Sequence, residues 1–117
     1  MTDYHKVERK RALEDLLAKI EAPNITPDVA MFYNFGNDWL DCFDAYNGSL
    51  DAAKALHEAV VPGWKVTYLG QQEDGWTVVL ARVGPLTGFD GKHPNNPARS
   101  WLIAILKVLI ERQSYAR

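Results

Sequence analysis

The sequence of 117 residues lacks most of the residues that build specialised sites. Its one cysteine, Cys42, excludes an intramolecular disulfide and a zinc site made of several cysteines. The acidic neighbours Asp41 and Asp44 disfavour a thiolate, because nearby negative charge raises the pKa of a thiol. We therefore expect Cys42 to be buried and unreactive.

Long apolar runs are missing as well. The longest, Trp101 to Leu106, is much shorter than the roughly 20 residues that a membrane-spanning helix needs. The opening stretch MTDYHKVERKR has no apolar core of the kind found in secretion signals. These absences predict a soluble, cytoplasmic protein without a membrane partner.

The sequence also has no excess of positive charge. The formal net charge is −2, whereas proteins that bind nucleic acid usually concentrate positive charge, so direct nucleic-acid binding is disfavoured. The apolar fraction of 47% and the charged fraction of 24% are ordinary for a globular protein. At this length we expect one domain covering residues 1–117.

Apolar periodicity and capping residues predict four helices. Leu13, Leu16, Leu17 and Ile20 recur with the helical period of 3.6 residues. Typical helix starts occur at three places: at Thr26 followed by Pro27, at Ser49, and at Asn96 followed by Pro97. The predicted helices cover residues 3–22, 27–34, 49–61 and 97–113.

Two β-rich stretches predict an antiparallel hairpin with strands at 64–69 and 76–83, joined by the turn formers GQQEDG. The weak alternation of WLDCFDAY adds a possible third strand near 39–44. Residues 84–99 have no period and are expected to be a long loop leading into the last helix. The expected fold class is α+β, with a mostly helical domain carrying the hairpin as an appendage as the alternative.

The last predicted helix is apolar on two sides. One stripe includes Trp101 and Leu102, and a second stripe consists of Ile103, Leu106 and Ile110. Such a helix either lies centrally in a core or contacts a second copy of the chain. Because few elements are available to cover both sides, we expect a homo-oligomer whose interface includes the second stripe.

One cluster suggests an anion site. Lys92, His93, Asn96 and Arg99 lie at the start of the last helix, where the helix dipole and free backbone N–H groups favour an anion. The alternative is that this segment is a solvated connector.

No catalytic, metal or cofactor site is expected. His57-Glu58 resembles half of the zinc motif HExxH, but position 61 is a valine, so the second ligand is missing. Asp41 and Asp44 have no third ligand nearby in the sequence. Without a nucleophile and base, or a metal set, the sequence favours a protein that is not an enzyme.

Three stretches carry a resemblance to a known family: YNGSLDAAKAL, VPGWKV and NNPARSWLIAILK. With the order of elements over residues 12–113, the chain resembles small uncharacterised proteins of bacteriophages and prophages grouped as the phage α-β-α sandwich domain. The resemblance implies that architecture and a phage or prophage origin. It implies no catalytic residues, because the family has none assigned.

The resemblance and the missing catalytic motifs together suggest an accessory protein in the host cytoplasm that binds and blocks a host protein, such as an antiviral defence protein. Negative charge could face a nucleic-acid-handling host protein; the acids expected to present it are Asp38, Asp41, Asp44, Glu73 and Asp74. The alternative is an oligomeric protein that sequesters an anionic nucleotide signal at the predicted anion site.

Overall fold

The computed structural model describes residues 2–22, 25–82 and 88–115. It has an α+β fold, as the sequence predicts. The elements are α1 (Thr2–Glu21), α2 (Val29–Phe32), a 3-10 helix (Tyr33–Asp38), α3 (Trp39–Tyr46), α4 (Leu50–Val60), β1 (Lys65–Gln72), β2 (Gly75–Ala81), β3 (Gly88–His93) and α5 (Pro97–Tyr115).

The three strands form one antiparallel sheet in the order β1-β2-β3. Glu73 and Asp74 make a tight turn between β1 and β2, and Gly75 follows with a φ of 123°, which a residue with a side chain rarely adopts. The register shifts between Val66 and Tyr68, which marks a bulge in β1. The predicted hairpin is therefore present with a longer first strand and a shorter turn. Its second strand begins one residue earlier than predicted and ends at Ala81, and the last predicted residue, Val83, lies outside the described residues.

The core is built around α5. This helix packs on β2 and β3 with one side and on α1 with the other, while α3 and α4 also contact it. At Gly91 the strand β3 approaches the helix so closely that an added Cβ would overlap the carbonyl oxygen of Ser100 and lie 2.6 Å from the backbone nitrogen of Ala104. Among the described residues the layers are thus sheet, α5 and α1.

The central position of α5 overturns the basis of the predicted oligomer interface. Ile103 and Leu106 are fully buried inside the chain, and Ile110 is partly buried against the same core. The element that packs against this helix on the side away from the sheet is α1, whose Leu13 and Leu16 are fully buried. Of the two alternatives for this helix, the central core helix is the one found.

Two predicted elements were assigned to the wrong class. Residues 39–44 belong to the helix α3, in which Cys42, Ala45 and Tyr46 are buried at helical spacing. The third strand is instead β3, inside the segment expected to be a loop. The weak alternation over a few residues was compatible with a helix, and β3 is stabilised by pairing with β2 and contact with α5 rather than by its own sequence.

Helix ends were predicted with mixed success. The side-chain oxygen of Ser49 accepts a hydrogen bond from the backbone N–H of Ala52, and α5 begins at Pro97, so both of these starts are confirmed. The helix predicted at 27–34 begins only at Val29, after Asp28, and continues as a 3-10 helix bent at Gly36. The first helix ends at Glu21, one residue before its predicted end; Pro23, which should stop this helix because it lacks a backbone N–H, lies outside the described residues.

Candidate functional site

The predicted anion cluster contains a histidine that already has partners. The Nδ1 atom of His93 accepts hydrogen bonds from the backbone N–H groups of Asn95 at 3.2 Å and Asn96 at 3.1 Å. A nitrogen that accepts carries no proton, so this geometry holds the ring in its neutral form. Partial burial and the nearby Arg99 lower the pKa of His93. His93 therefore closes a turn rather than supplying positive charge.

Arg99 connects the start of α5 to the end of α3. Its Nε donates to the carbonyl oxygen of Tyr46 at 2.9 Å, and its guanidinium lies 3.9 Å from the centre of the Tyr46 ring, a cation–π contact. Its backbone N–H donates to Oδ1 of Asn96 at 3.0 Å, which confirms Asn96 as the helix cap. These contacts already use much of the capacity of Arg99 to bind an anion.

Lys92 lies on the other face of the sheet. Neighbouring residues of a strand point to opposite faces, and Gly91 and His93 face α5, so Lys92 faces away from it. Its Nζ is 3.9 Å from a carboxylate oxygen of Asp74 in the β1–β2 turn. The structure thus brings together His93, Asn96 and Arg99 but not Lys92, which weakens the geometric case for an anion site.

The buried histidine of α4 has a structural role. Nε2 of His57 lies 2.6 Å from the carbonyl oxygen of Trp64, and Nδ1 accepts a hydrogen bond from Nε1 of Trp101 at 3.1 Å. Both ring nitrogens are therefore used in linking α4 to α5 and to the chain entering β1. This agrees with the interpretation of His57 as a structural residue rather than half of a metal motif.

A different surface joins acidic and apolar side chains. We call it the acidic face of α3. Leu40, Asp41 and Asp44 form it, Asp38 directly precedes the helix, and Tyr33 and Trp39 flank it on the side away from Asp41. Leu40 is 51% exposed and Tyr33 is 53% exposed, and the rings of Tyr33 and Trp39 meet edge to face with centres 4.9 Å apart. Because Leu40 and Asp44 are one helical turn apart, they lie on the same side of α3, opposite the buried Cys42.

The sequence segment that contains this face carries negative charge only. Between Lys19 and Lys54 the sequence has no lysine or arginine but has six acidic residues. None of Asp38, Asp41 and Asp44 forms an ion pair with another described residue. In the described structure Arg9 and Arg99 reach this segment from outside, and they donate to the carbonyl oxygens of Asn34 at 2.7 Å and Tyr46 at 2.9 Å. The carboxylates of α3 thus remain available to a partner.

The five predicted partner-binding acids are divided between two elements. Asp38, Asp41 and Asp44 lie at α3, whereas Glu73 and Asp74 form the β1–β2 turn. Sequence reasoning selected the three acids of α3 but not the exposed Tyr33 and Leu40 beside them. Treating residues 39–44 as a strand hid the spacing that places Leu40 and Asp44 together.

A shallow groove of about 380 Å³ lies among α1, α5 and β3. Its lining includes Glu14, Leu17 and Phe89, and its one cation, Lys107, donates to the carbonyl oxygen of Asp90 at 2.7 Å. None of the predicted anion-binding residues lines this groove. It therefore provides no cavity for the anionic ligand that the sequence suggested.

Other kinds of site find little support in the part of the chain that is described. Within residues 2–22, 25–82 and 88–115, no group of three or more His, Cys, Asp or Glu side chains has the geometry to hold a metal ion. No described helix is both long enough and apolar enough to cross a bilayer. Cys42 is buried, which raises the pKa of its thiol far above the usual range.

Comparisons with protein-family models, with curated proteins and with solved structures found no match to this chain. The resemblance to the phage α-β-α sandwich family therefore remains a prediction.

Proposed function

We propose that this protein acts by binding, and that the acidic face of α3 docks on a positively charged surface of another protein. The observation that carries the proposal is the position of Leu40, a 51% exposed leucine one helical turn from Asp44 in a long segment without lysine or arginine. An exposed apolar residue supplies contact area, and carboxylates around it select a basic partner.

The aromatic residues strengthen this interpretation. The ring of Tyr33 contacts that of Trp39, and the ring of Trp39 lies 6.4 Å from that of Phe43, measured between ring centres. The ring of Phe43 in turn lies 5.4 Å from that of the buried Phe32. Side chains that already pack against the core lose little conformational entropy on binding. Tyrosine and tryptophan are also enriched at the centres of protein interfaces. The acidic face of α3 is thus flanked by aromatic side chains that pack against the core.

The partner class follows from charge and from the resemblance. Six acids in a segment without lysine or arginine favour a protein that itself handles nucleic acid, because such proteins carry positive surfaces. In a phage or prophage setting this is a host protein, and occupying its basic surface would block it. We propose that the protein is a non-enzymatic phage accessory protein in the host cytoplasm, with antiviral defence proteins as the class of target.

The anionic-nucleotide alternative has less geometric support. Its site needs free cations, but His93 is held neutral, Arg99 is bound to Tyr46 and Lys92 faces the other side of the sheet. We therefore favour the acidic face of α3 over the start of α5.

The test compares proteins retained from a host lysate at low salt by the immobilised wild type and by single variants. Asp44→Lys reverses one carboxylate and Leu40→Ala removes the exposed leucine, and each should weaken retention of the same proteins about tenfold. Glu8→Lys on α1 and Leu50→Ala on α4 are matched controls, because both are exposed and lie off this face. Their retention should equal that of the wild type.

Ionic strength gives a second readout. Association with a basic partner should slow as salt rises, because charges that attract across a surface are screened. If Asp44→Lys and Leu40→Ala retain the same proteins as the wild type, the acidic face of α3 is not the docking surface.

A further inference from the structure

The turn between α3 and α4 places a glycine directly after an asparagine. The backbone N–H of Gly48 donates to the carbonyl oxygen of Ala45 at 3.0 Å. The backbone N–H of Ser49 donates to that of Asp44, also at 3.0 Å. These two bonds form the Schellman motif, in which the residue after the helix cap has a positive φ, here 110° at Gly48. The fold therefore favours glycine directly after the exposed Asn47.

An asparagine followed by glycine is chemically open to deamidation. The backbone nitrogen of Gly48, after losing its proton to water, attacks Cγ of Asn47 and closes a five-membered succinimide ring. The bond from Cγ to Nδ2 breaks, and Nδ2 takes up a proton from water and leaves as ammonia. Water then opens the ring at either carbonyl carbon, which gives aspartate or isoaspartate, so that one water is consumed for one ammonia released. Glycine favours the attack because it has no side chain to hinder the approach.

The folded turn keeps the two reacting groups apart. At Asn47 the angle ψ is 4°, so the nitrogen of Gly48 is eclipsed with the nitrogen of Asn47, whereas closing the ring needs it close to Cβ instead. Nδ2 of Asn47 also donates to the carbonyl oxygen of Phe43 at 3.1 Å, which holds the side chain back along α3. The amide proton of Gly48 is bound to Ala45, and such a proton is lost only when the structure opens locally. The turn must therefore open before the ring can form.

The product would fit this turn less well than asparagine does. An ionised carboxylate accepts hydrogen bonds but donates none, so an aspartate at position 47 loses the bond to Phe43. It also places negative charge at the C-terminal end of α3, where the helix dipole disfavours it. Isoaspartate in addition lengthens the main chain by one carbon within the Schellman motif. Deamidation should therefore loosen the connection between α3 and α4.

We propose that Asn47 is a site of spontaneous deamidation, and that the hydrogen bonds of the α3–α4 turn control its rate by keeping the turn closed. When opening and closing are fast, the rate follows the fraction of chains in which the turn is open. A deamidated Asn47 thus identifies chains whose turn has been open. This proposal concerns the turn and not docking on the acidic face of α3, so it does not depend on the proposed function.

The experiment incubates the full chain at mildly alkaline pH, folded or in guanidinium chloride, and follows each asparagine by peptide mapping with mass spectrometry. Replacing NH2 by OH raises the peptide mass, and Asn47 should react at least about tenfold faster in the unfolded chain. Asn34 is the matched control, because it is exposed and its Nδ2 donates to the carbonyl oxygen of Met31 at 2.9 Å, but Phe35 follows it. The bulky side chain of Phe35 hinders the attack, so Asn34 should stay largely unchanged even in the unfolded chain.

Two variants test whether the turn controls the rate. Ser49→Ala removes the hydroxyl that accepts from the backbone N–H of Ala52 at 3.1 Å, which loosens the start of α4 beside the turn. While folded, it should deamidate at Asn47 about threefold to tenfold faster than the wild type, and at the same rate when both are unfolded. Val78→Ala removes buried volume from β2, away from the turn, so it lowers the overall stability but should leave the rate in the folded chain unchanged.

Circular dichroism should show that both variants are folded during the incubation. Any one of four results would overturn the proposal: an unfolded chain that keeps Asn47 intact, equal rates in the folded and unfolded wild type, a folded Ser49→Ala no faster than the wild type, or a folded Val78→Ala as fast as Ser49→Ala. The last result would mean that the reaction follows unfolding of the whole chain and not opening of the turn.

Discussion

The contact between Gly91 and α5 gives the most direct test of the fold. A Cβ at this position would overlap the carbonyl oxygen of Ser100 and lie 2.6 Å from the backbone nitrogen of Ala104. These neighbours are the backbone of a helix in the middle of the core, and they cannot turn away as a flexible side chain can. Gly91→Ala therefore forces β3 and α5 apart or bends the strand.

The size of the effect follows from the kind of neighbour. Adding one methyl group to a packed core costs about 1–3 kcal/mol. Because Gly91→Ala meets backbone atoms closer than any normal contact, we expect about 3 kcal/mol of lost stability. In a domain of this size each kcal/mol lowers the melting temperature by about 4 °C, so the variant should melt about 12 °C below the wild type.

Gly88→Ala is the matched control in the same strand. Its Cβ would lie 3.5 Å from the carbonyl oxygen of Leu80, an ordinary contact, and the backbone there does not require glycine. We expect the free energy of unfolding of Gly88→Ala to lie within about 0.5 kcal/mol of that of the wild type. Thermal unfolding followed by circular dichroism measures both variants. Equal melting temperatures for Gly91→Ala and Gly88→Ala would refute the close packing of β3 on α5.

Two further predictions concern protonation. The pKa of His93 is lowered in the folded state, so as the pH falls the unfolded chain binds a proton at this residue before the folded chain does. The stability that His93 contributes is therefore complete above about pH 6.5 and is lost as the pH falls below it. His93→Asn, whose Oδ1 can accept in place of the ring Nδ1 but which does not titrate, should show a smaller drop in melting temperature between about pH 8 and about pH 5; an equal drop contradicts this role. Burial raises the pKa of the Cys42 thiol, so a thiol reagent at about pH 8 should react with the urea-unfolded chain and not with the native protein, and rapid native reaction would disprove this.

Features that depend on a few neighbouring residues could be predicted from the sequence. The cap at Ser49 and the start of α5 at Pro97 follow from local hydrogen bonding and backbone geometry, and both were found where expected. The hairpin was also found, because β-branched residues flank turn formers. These features need no knowledge of the rest of the chain.

Features that depend on distant partners could not be predicted. The strand β3 contains two glycines and no apolar alternation, and it exists because β2 and α5 are there to contact it. The apolar sides of α5 suggested an interface because the sequence does not show that α1 packs against α5. In the candidate sites, Lys92 and His93 are adjacent in sequence but lie on opposite faces of the sheet.

The central helix also affects how the chain folds as it is made. A ribosome synthesises α1, α3, α4 and the β1–β2 hairpin before α5, yet each helix of this group packs against α5, and so does β2. Until α5 leaves the exit tunnel, the apolar sides of these elements have no common partner. Contacts between α1 and α5 join residues far apart in the chain, and such contacts slow folding. The nascent chain therefore exposes its apolar surface through most of its synthesis, and a chaperone that binds such surfaces would meet it in that interval.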